Sequence, residues 1–500
     1  MRDTSDTSDT FAAHARRARV AVAGGGVAGL VAALECAKVG SHVTLIEAGD
    51  RLGGTIGSAE IAGARIDLTA EGFPAGAAPV RALAGELSLP VVPVTGADVV
   101  WIAGLPSGSA PLPEATLVGI PENPWHESVR AIIGWSGAWR AYVDRIRPPM
   151  TIGKERSLGR LVGSRMGQTV LERLVAPLSI GTYGIHPDDV DVDAAAPGLN
   201  AALTRNGSLA AAVAQLRPEA PAPLATVDGG MARLIDALQA RLAELGVEVR
   251  TGVRVTSLAA RGGRWIVETA PSESSPAASD PAREQATDAP PEPFDAVIVA
   301  TPEATARALL APVVAGLDSH PAPTTSLELV TVVFDAPGLD APAPASAAAA
   351  TAVYTVPGSR RATRLLVLSR RHPALAAATG SHVVRVTFGA PGERPATEGL
   401  DDAEAFAVAV AEASAMLGID PASITVRGAH RVRAELPRPE SAIGRAESNA
   451  AARHTVAGVA GLGVVGAWLS GPGLAQVVLD AREEADRVRR ALLWGDAPTQ

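Results

Sequence analysis

Apolar and polar positions along the chain change rhythm several times, and each rhythm predicts a different kind of element. Residues 20–23 are an unbroken apolar run, a glycine cluster follows, 30–39 carry helical apolar spacing, and 43–46 are apolar again. That succession predicts strand, turn, helix and strand, a βαβ unit. From about 80 to 216 the spacing becomes helical, punctuated by turn clusters such as Asn123-Pro124 and Arg147-Pro148-Pro149. A second α/β stretch opens at Asp228-Gly229-Gly230, continues as a helix to Leu245, and predicts strands near 247–250 and 264–267. Residues 295–300 are nearly continuous in hydrophobicity, as a strand covered on both faces should be. The alternating runs 327–334, 365–368 and 383–388 predict an antiparallel sheet, interrupted by the Ala/Pro stretch 341–350. No charge occurs from 455 to 479, but the glycines at 458, 461, 463, 466, 471 and 473 and Pro472 break up any spanning helix. The better reading is a buried strand, a Gly-rich turn and a helix running to about 492. No fixed-period repeat indicates a solenoid.

Composition narrows the class. The 500 residues are 47% hydrophobic, with 50 Gly and 39 Pro but only seven Trp, six Phe and three Tyr, which suits a large α/β protein with many tight turns. A formal net charge of −9 gives no global basic field, so nucleic acid is not an expected partner. The single cysteine, Cys36, excludes an internal disulfide and a multi-cysteine metal site, and no metal is expected. Residues 1–17 lack the pattern of a secretory signal and read as a flexible tail, and 271–293 read as a disordered insertion. The expected location is the cytoplasm, with peripheral membrane contact left open.

Gly24-Gly25-Gly26-Val27-Ala28-Gly29 follows a predicted strand and opens a predicted helix, the context a dinucleotide fingerprint requires. Gly24 permits a tight turn, Gly26 lets backbone approach a pyrophosphate, and Gly29 allows close helix packing. The first helical amides, with Val27 and Ala28, then face the phosphates. Glu47 ends the second strand, where a carboxylate can accept from both ribose hydroxyls and disfavours a 2′-phosphate. This pattern alone does not separate NAD from FAD.

The run Glu47-Ala48-Gly49-Asp50-Arg51-Leu52-Gly53-Gly54 adds an arginine and a second glycine pair directly after the ribose acid. Here the chain resembles the flavin amine oxidase superfamily, whose members carry an Arg-x-Gly-Gly run against the FAD pyrophosphate. Three later segments carry the same resemblance: Asp228-Gly229-Gly230-Met231 with the strand reaching Val253, Asp295 to Ala300-Thr301-Pro302, and Val465-Gly466-Ala467-Trp468 through Gly473-Leu474-Ala475-Gln476-Val477. The resemblance implies FAD as cofactor, with adenine near Val253 and the isoalloxazine near Trp468 and the late glycine turn. It implies an α/β (α+β overall) architecture. The parts are a doubly wound FAD-binding domain (18–78, 225–310 and 450–495), a mainly helical lobe (79–216) and a mixed-sheet substrate domain (311–449).

Within that superfamily, Pro111 to Pro121, Ser157 to Val162, Leu174-Val175-Ala176-Pro177 to Tyr183, and Ala196 to Leu199 resemble the bacterial oxygen-dependent porphyrinogen oxidases. Arg385-Val386-Thr387-Phe388-Gly389 is a weaker match. The resemblance implies FAD-dependent oxidation of coproporphyrinogen III to coproporphyrin III with O₂ giving H₂O₂, in haem synthesis, and handover of product to a ferrochelatase. Flavin N5 would carry the chemistry, so no catalytic side chain is singled out. Alternatives stay open: protoporphyrinogen, an amine or polyene substrate, or a flavin-binding paralogue without activity.

Asp67 and Phe73 match the family's next segment, but Thr69 stands for its glycine and Gly76-Ala77 for its basic pair. Phe73, Tyr183 and Arg361 are the cleft candidates. Cationic anchors are sought among Arg140, Arg145, Arg147, Lys154, Arg156, Arg360, Arg361 and Arg364. Trp135, Trp139 and Tyr142 share one helix face, which reads as core, with a cleft wall or membrane-facing stripe as alternatives.

Overall fold

A computed structural model describes residues 18–95, 98–146, 155–218, 223–272, 293–343 and 346–494. The expected tail, residues 273–292 of the expected insertion, Arg147 and Lys154 lie outside the described residues. The first α/β stretch comprises β1 (Arg19–Ala23), α1 (Val27–Lys38) and β2 (His42–Ile46). Next come β3 (Val100–Leu105), β4 (Gly108–Pro111), α2 (Glu127–Tyr142), α3 (Ala176–Tyr183), α4 (Ala232–Glu244), β5 (Glu248–Arg250) and β6 (Ala296–Val299). The remainder supplies β7 (Thr325–Asp335), β8 (Ala352–Thr355), β9 (Ala362–Val367), β10 (His382–Phe388), α5 (Asp402–Leu417) and β11 (Thr425–Leu436). It ends with α6 (Arg445–Ala457), β12 (Leu462–Val464) and α7 (Leu474–Trp494).

Five of these strands form one parallel sheet in the order β5-β2-β1-β6-β12. Strand alternation divides its apolar residues between two cores. Val20, Val22, Ala296 and Ile298 pack with α1, α4 and α7, whereas Ala21, Ala23, Val297 and Val299 pack with Trp265, Leu309 and Trp468. The sheet is therefore covered on both faces, which is why its strands read as continuous apolar runs. From β1 the chain winds one way to β2 and later returns to place β6 on the other side. Such a reversal opens a crevice at the carboxyl ends of the strands.

The second sheet has seven strands in the order β11-β7-β10-β9-β8-β3-β4, antiparallel except for the parallel β8–β3 pair. Two of its strands, β3 and β4, come from the stretch whose spacing predicts helices. The register Ala352↔Val100 to Thr355↔Ala103 joins them to the sheet. α5 covers one face of this sheet through Ala409, Ala413 and Leu417. The helices of 127–216 cover the other, where Ile132, Leu161, Leu174 and Leu199 share a core with Tyr354, Leu366 and Val383. A π-turn at Leu171–Val175 runs directly into α3. Pro177 has no amide and would crowd the Arg173 carbonyl in a regular helix, and the wider turn relieves that.

The aromatic stripe is not core. α2 breaks at Gly134 (φ 71°, ψ 177°), and beyond the break Gly137, Ala138 and Ala141 turn inward. Trp135 and Trp139 are consequently 65% and 61% exposed. They gather with Tyr142 around Trp125 at ring separations of 5.1–6.2 Å. Among the described residues no helix is long and apolar enough to cross a membrane.

Candidate cofactor cradle and substrate cleft

Most glycine-rich segments singled out in the sequence leave the carboxyl end of a strand of the parallel sheet, whereas Asp228-Gly229-Gly230 follows Leu224–Val227 of a separate three-stranded antiparallel sheet. Gly24 follows β1, Glu47 follows β2, Gly252 follows β5, Ala300 follows β6 and Gly466 is two residues past β12. At Gly24 (φ +109°) a Cβ would lie 2.6 Å from the Ala300 carbonyl oxygen, and at Gly29 it would lie 1.9 Å from the Gly24 oxygen. These two positions hold α1 tight against the strand ends. At Gly26, by contrast, no atom lies within 4 Å of the Cβ position. Its backbone faces open space at the amino end of α1, where the first amides of Val27, Ala28 and Gly29 have no intrahelical acceptor.

The second glycine pair closes onto the first. The Gly53 amide donates to the Gly25 carbonyl at 2.8 Å, Gly26 and Gly53 form an isolated parallel bridge, and a Cβ on Gly54 would stand 3.2 Å from Gly26 Cα. Glu47 accepts from the amides of Gly25 and Gly49, each at 2.6 Å, which fixes its carboxylate beside the turn. The half-buried Ala48 follows it. Arg51 folds back, donating to the carbonyls of Gly54 (3.0 Å), Ile56 (3.3 Å) and Leu52 (3.4 Å), so it stiffens the 51–57 loop. The Val253 amide donates to the Glu47 carbonyl at 3.0 Å, which brings that residue to the edge of the same cradle.

The late turn is anchored from below by buried charge. Arg445 donates to both oxygens of Glu303 (3.0 and 2.6 Å) and to the Trp468 carbonyl (2.8 Å), and Arg307 donates to Glu303 at 2.8 Å. Burial pushes the Glu303 carboxyl up, but the Arg445 and Arg307 hydrogen bonds outweigh it and hold the group below the usual carboxylate range. Asn449 donates to the carbonyls of Trp468 and Leu469, each at 3.0 Å. The Trp468 ring is buried, with the Arg307 and Arg445 guanidiniums 5.3 and 5.9 Å from its centroid and its Nε1 edge 3.5 Å from the Cβ position of Gly466. Gly473, Leu474 and Ala475 remain accessible at the amino end of α7, while Val477 is buried behind them. Thr301 Oγ1 and Trp468 Nε1, from the two residues that border Gly466, are buried with no protein hydrogen-bond partner. Open space at Gly26, free helix-end amides and these two orphaned polar atoms fit a phosphate-bearing dinucleotide.

On the side facing the seven-stranded sheet, Tyr183 ends α3 and is 50% exposed. Beside it the Thr182 hydroxyl donates to Tyr354 Oη at 3.2 Å, and the Arg364 guanidinium lies 5.7 Å over the Tyr354 ring. Phe73 is placed differently from the cleft position expected of it. It is 1% exposed in the core with Val80, Leu83 and Ala225, because its strand pairs with Leu224–Val227. Arg361 is exposed in the turn between β8 and β9, three residues short of Arg364, the arginine that lies over Tyr354. The other proposed anchors serve local structure. Arg140 donates to the Ser164 and Arg165 carbonyls, Arg156 pairs with Asp191 and Glu447, Arg145 lies over Tyr142, and Arg360 faces Glu412.

Asp67, which matches the family's segment, and Glu71, which had no distinctive sequence signal, also take part. Asp67 accepts from the amides of Met231 (2.6 Å) and Ala232 (2.9 Å), fixing the start of α4. Burial pushes its carboxyl up, opposed by those same two amides. Glu71, in the segment where the family pattern lapses, sits among Arg364, Arg371 and Arg385.

A doubly wound sheet with a glycine cradle that fits a dinucleotide at its switch point, joined to a seven-stranded mixed sheet, defines the fold of a two-lobed dinucleotide-dependent oxidoreductase. The chain belongs to the flavin containing amine oxidoreductase family, whose model matches residues 27–489. It therefore takes a flavin. It is 29% identical over 431 residues to the coproporphyrinogen III oxidase of Mycobacterium tuberculosis, covering 81% of this chain and 84% of that relative. It is 24% identical over 532 residues to the coproporphyrinogen III oxidase of Propionibacterium freudenreichii, covering 98% and 94%. A crystal structure from Exiguobacterium, provisionally assigned as a protoporphyrinogen oxidase, shares the fold with a TM-score of 0.78 at 21% identity, covering 95% of this chain and 99% of that one.

Proposed function

We propose that the protein is an FAD-dependent oxidase that converts coproporphyrinogen III to coproporphyrin III. The observation that carries this reading is the run of contacts linking the glycine cradle to the Tyr354–Arg364 pair, from Thr55 through Thr69 and Arg385 to Glu71 and Arg364, in a chain similar over most of its length to coproporphyrinogen III oxidases. When bound, FAD accepts hydride and passes the electrons to O₂. The overall change removes six electrons and six protons from the porphyrinogen and reduces three O₂ to three H₂O₂.

The chain's own residues bind, orient and exclude. Gly24, Gly26, Gly29 and the Val27–Ala28 amides hold the pyrophosphate. Glu47 and Ala48 take the ribose end, Val253 borders the adenine, and Arg51 with Gly53 and Gly54 keeps the cradle closed. Ala300, Trp468, Gly473, Leu474, Ala475 and Val477 frame the flavin ring. Glu303, Arg307, Arg445 and Asn449 act as positioning residues, because they fix the turn without reaching the crevice. Mixing the FAD-loaded protein with anaerobically prepared coproporphyrinogen III, admitting O₂ and following porphyrin fluorescence with H₂O₂ tests the reading. Absence of turnover refutes it, and faster turnover of protoporphyrinogen would reassign the substrate.

A further inference from the structure

We propose that Arg364 and Arg371 form a carboxylate-binding subsite of the cleft, with Glu71 as an internal counter-ion that a substrate propionate displaces; this rests on the porphyrinogen reading above. Three guanidiniums surround that one carboxylate. Arg364 Nη2 lies 3.5 Å from Glu71 Oε1, Arg371 Nε 3.4 Å from Oε2, and Arg385 Nη1 3.7 Å from Oε1. Asp98 adds one contact to Arg371 at 3.4 Å, from a side chain that is 47% exposed. The cluster thus holds more buried positive than negative charge.

The three arginines are not equivalent. Arg385 is held in place, donating to the Asp67 carbonyl, to the Thr69 carbonyl at 3.2 Å and to Thr331 Oγ1 at 3.3 Å. Burial lowers its pKa, with Glu71 opposing. Arg364 and Arg371 have no comparable set. The side chain of Arg371 is nine-tenths buried, and the Nε atoms of both are buried without a hydrogen-bond partner. Ion pairs that hold this fold together are closed: Arg445–Glu303 at 2.6 Å and Arg165–Asp144 at 2.5 Å. The contacts to Glu71 are all about 1 Å longer, outside the range of a strong charge-assisted bond.

The location fits a substrate group. Arg364 covers the Tyr354 ring, and Tyr354 is bonded to Thr182 next to the half-exposed Tyr183. On the other side Arg385 grips the 67–69 backbone, and the Thr69 hydroxyl donates to the Thr55 carbonyl at 2.5 Å, directly after the Gly53-Gly54 cradle. Gly76 and Ala77 bring no cation here, so the seven-stranded sheet and the residues just after it supply the positive charge. Planar guanidinium forks suit carboxylates, and a tetrapyrrole bearing propionates presents them at its rim.

The test measures binding of coproporphyrin III to the FAD-loaded protein by porphyrin fluorescence, with its neutral tetramethyl ester as the uncharged comparison. Arg364→Gln and Arg371→Gln should each weaken coproporphyrin III about tenfold, the scale of one charge-assisted contact. Ester binding, flavin content and melting temperature should stay as in the parent. Glu71→Gln should tighten coproporphyrin III several-fold by removing the competing carboxylate, and Arg394→Gln, far out in solvent, should change nothing. A merely structural cluster gives the opposite pattern, in which Glu71→Gln weakens binding in step with the arginine variants; that result overturns the proposal. So does wild-type affinity in flavin-replete Arg364→Gln and Arg371→Gln. If coproporphyrin III binding follows the expected pattern but coproporphyrinogen is never oxidised, the subsite stands and the assigned reaction fails. Turnover with unchanged KM in both arginine variants means the reverse.

Discussion

Gly26→Ala separates folding from cofactor binding at a single atom. In the structure Gly26 has φ −70° and ψ 177°, which alanine adopts freely, and its Cβ position is empty to 4 Å. Replacing a glycine N-cap by alanine costs a few tenths to about 1 kcal/mol. The reduced freedom of the unfolded chain offsets about 0.4–1 kcal/mol of that. Net stability should therefore be within about 0.5 kcal/mol of the parent. The added methyl, however, stands where a phosphate must meet the α1 amides. Lengthening two charge-assisted contacts of about 1.5–3 kcal/mol each weakens flavin binding a hundredfold or more. Gly29→Ala is the contrast. Its Cβ would start 1.9 Å from the Gly24 oxygen, so helix and turn must separate by about 1 Å, at about 1–3 kcal/mol. Flavin absorbance of the purified proteins, with melting curves of the flavin-free forms, reads both effects. A Gly26→Ala protein that keeps full flavin affinity refutes the cradle, and one whose flavin-free form melts several degrees lower refutes the empty-space argument.

Three further outcomes follow from particular groups. Burial pushes the Asp480 carboxyl up to about 6, with Arg453 pulling the other way. A raised carboxyl favours the protonated fold, so this group's contribution is present below about pH 4 and is lost, up to about 3 kcal/mol, as pH rises through 6. Melting temperatures of Asp480→Asn should accordingly lack the parent's decline between pH 4 and 6, and an unchanged decline argues against it. Glu303→Ala leaves Arg307 and Arg445 buried without their carboxylate, which should cost about 3–5 kcal/mol and release flavin on mild heating. Flavin fluorescence during a thermal ramp reads this, and parental release temperature contradicts it. Trp135→Ser with Trp139→Ser should shift stability by less than about 0.5 kcal/mol per site and reduce the iodide-quenchable part of the tryptophan fluorescence. A large loss of stability would return those rings to the core.

How far the sequence carried depended on burial. Where both faces of an element are covered, pattern and structure agree closely: residues 20–23, 43–46 and 295–300 correspond to β1, β2 and β6, and 383–388 to β10. The uncharged stretch after 455 likewise holds β12 and its Gly-rich turn. β11 was not legible, because as an edge strand it alternates Arg427, Arg431 and Arg433 with small or half-buried residues, although it pairs with β7 along its whole length. β3 was hidden in a stretch of helical spacing, since one of its partners, β8, lies about 250 residues away and the other, β4, is a short hairpin strand in the same stretch. The aromatic stripe misled for a local reason, the break at Gly134 that turns its second half outward. For the site, the glycine pattern was readable because its spacing is local in sequence, even though Gly24 packs against the distant Ala300 and Gly54 against Gly26. Glu71 and Arg371 were not, since they are 300 residues apart and nothing local marks either one.

The order of strands in the parallel sheet also sets a timetable for synthesis. β12, the strand that closes the sheet beside β6, is made last, and α7, which shares a core with α1, follows it. While the 160 or so residues between β6 and β12 are translated, on the order of ten to thirty seconds, β6 presents Ala296-Val297-Ile298-Val299 as an apolar edge unpaired on that side. A nascent chain in that interval can neither retain its cofactor nor hide a template for association. Chains that stall or are cut before residue 462 stay in that condition, so the segment from residue 462 onward acts as a checkpoint between the closed fold and an aggregation-prone fragment.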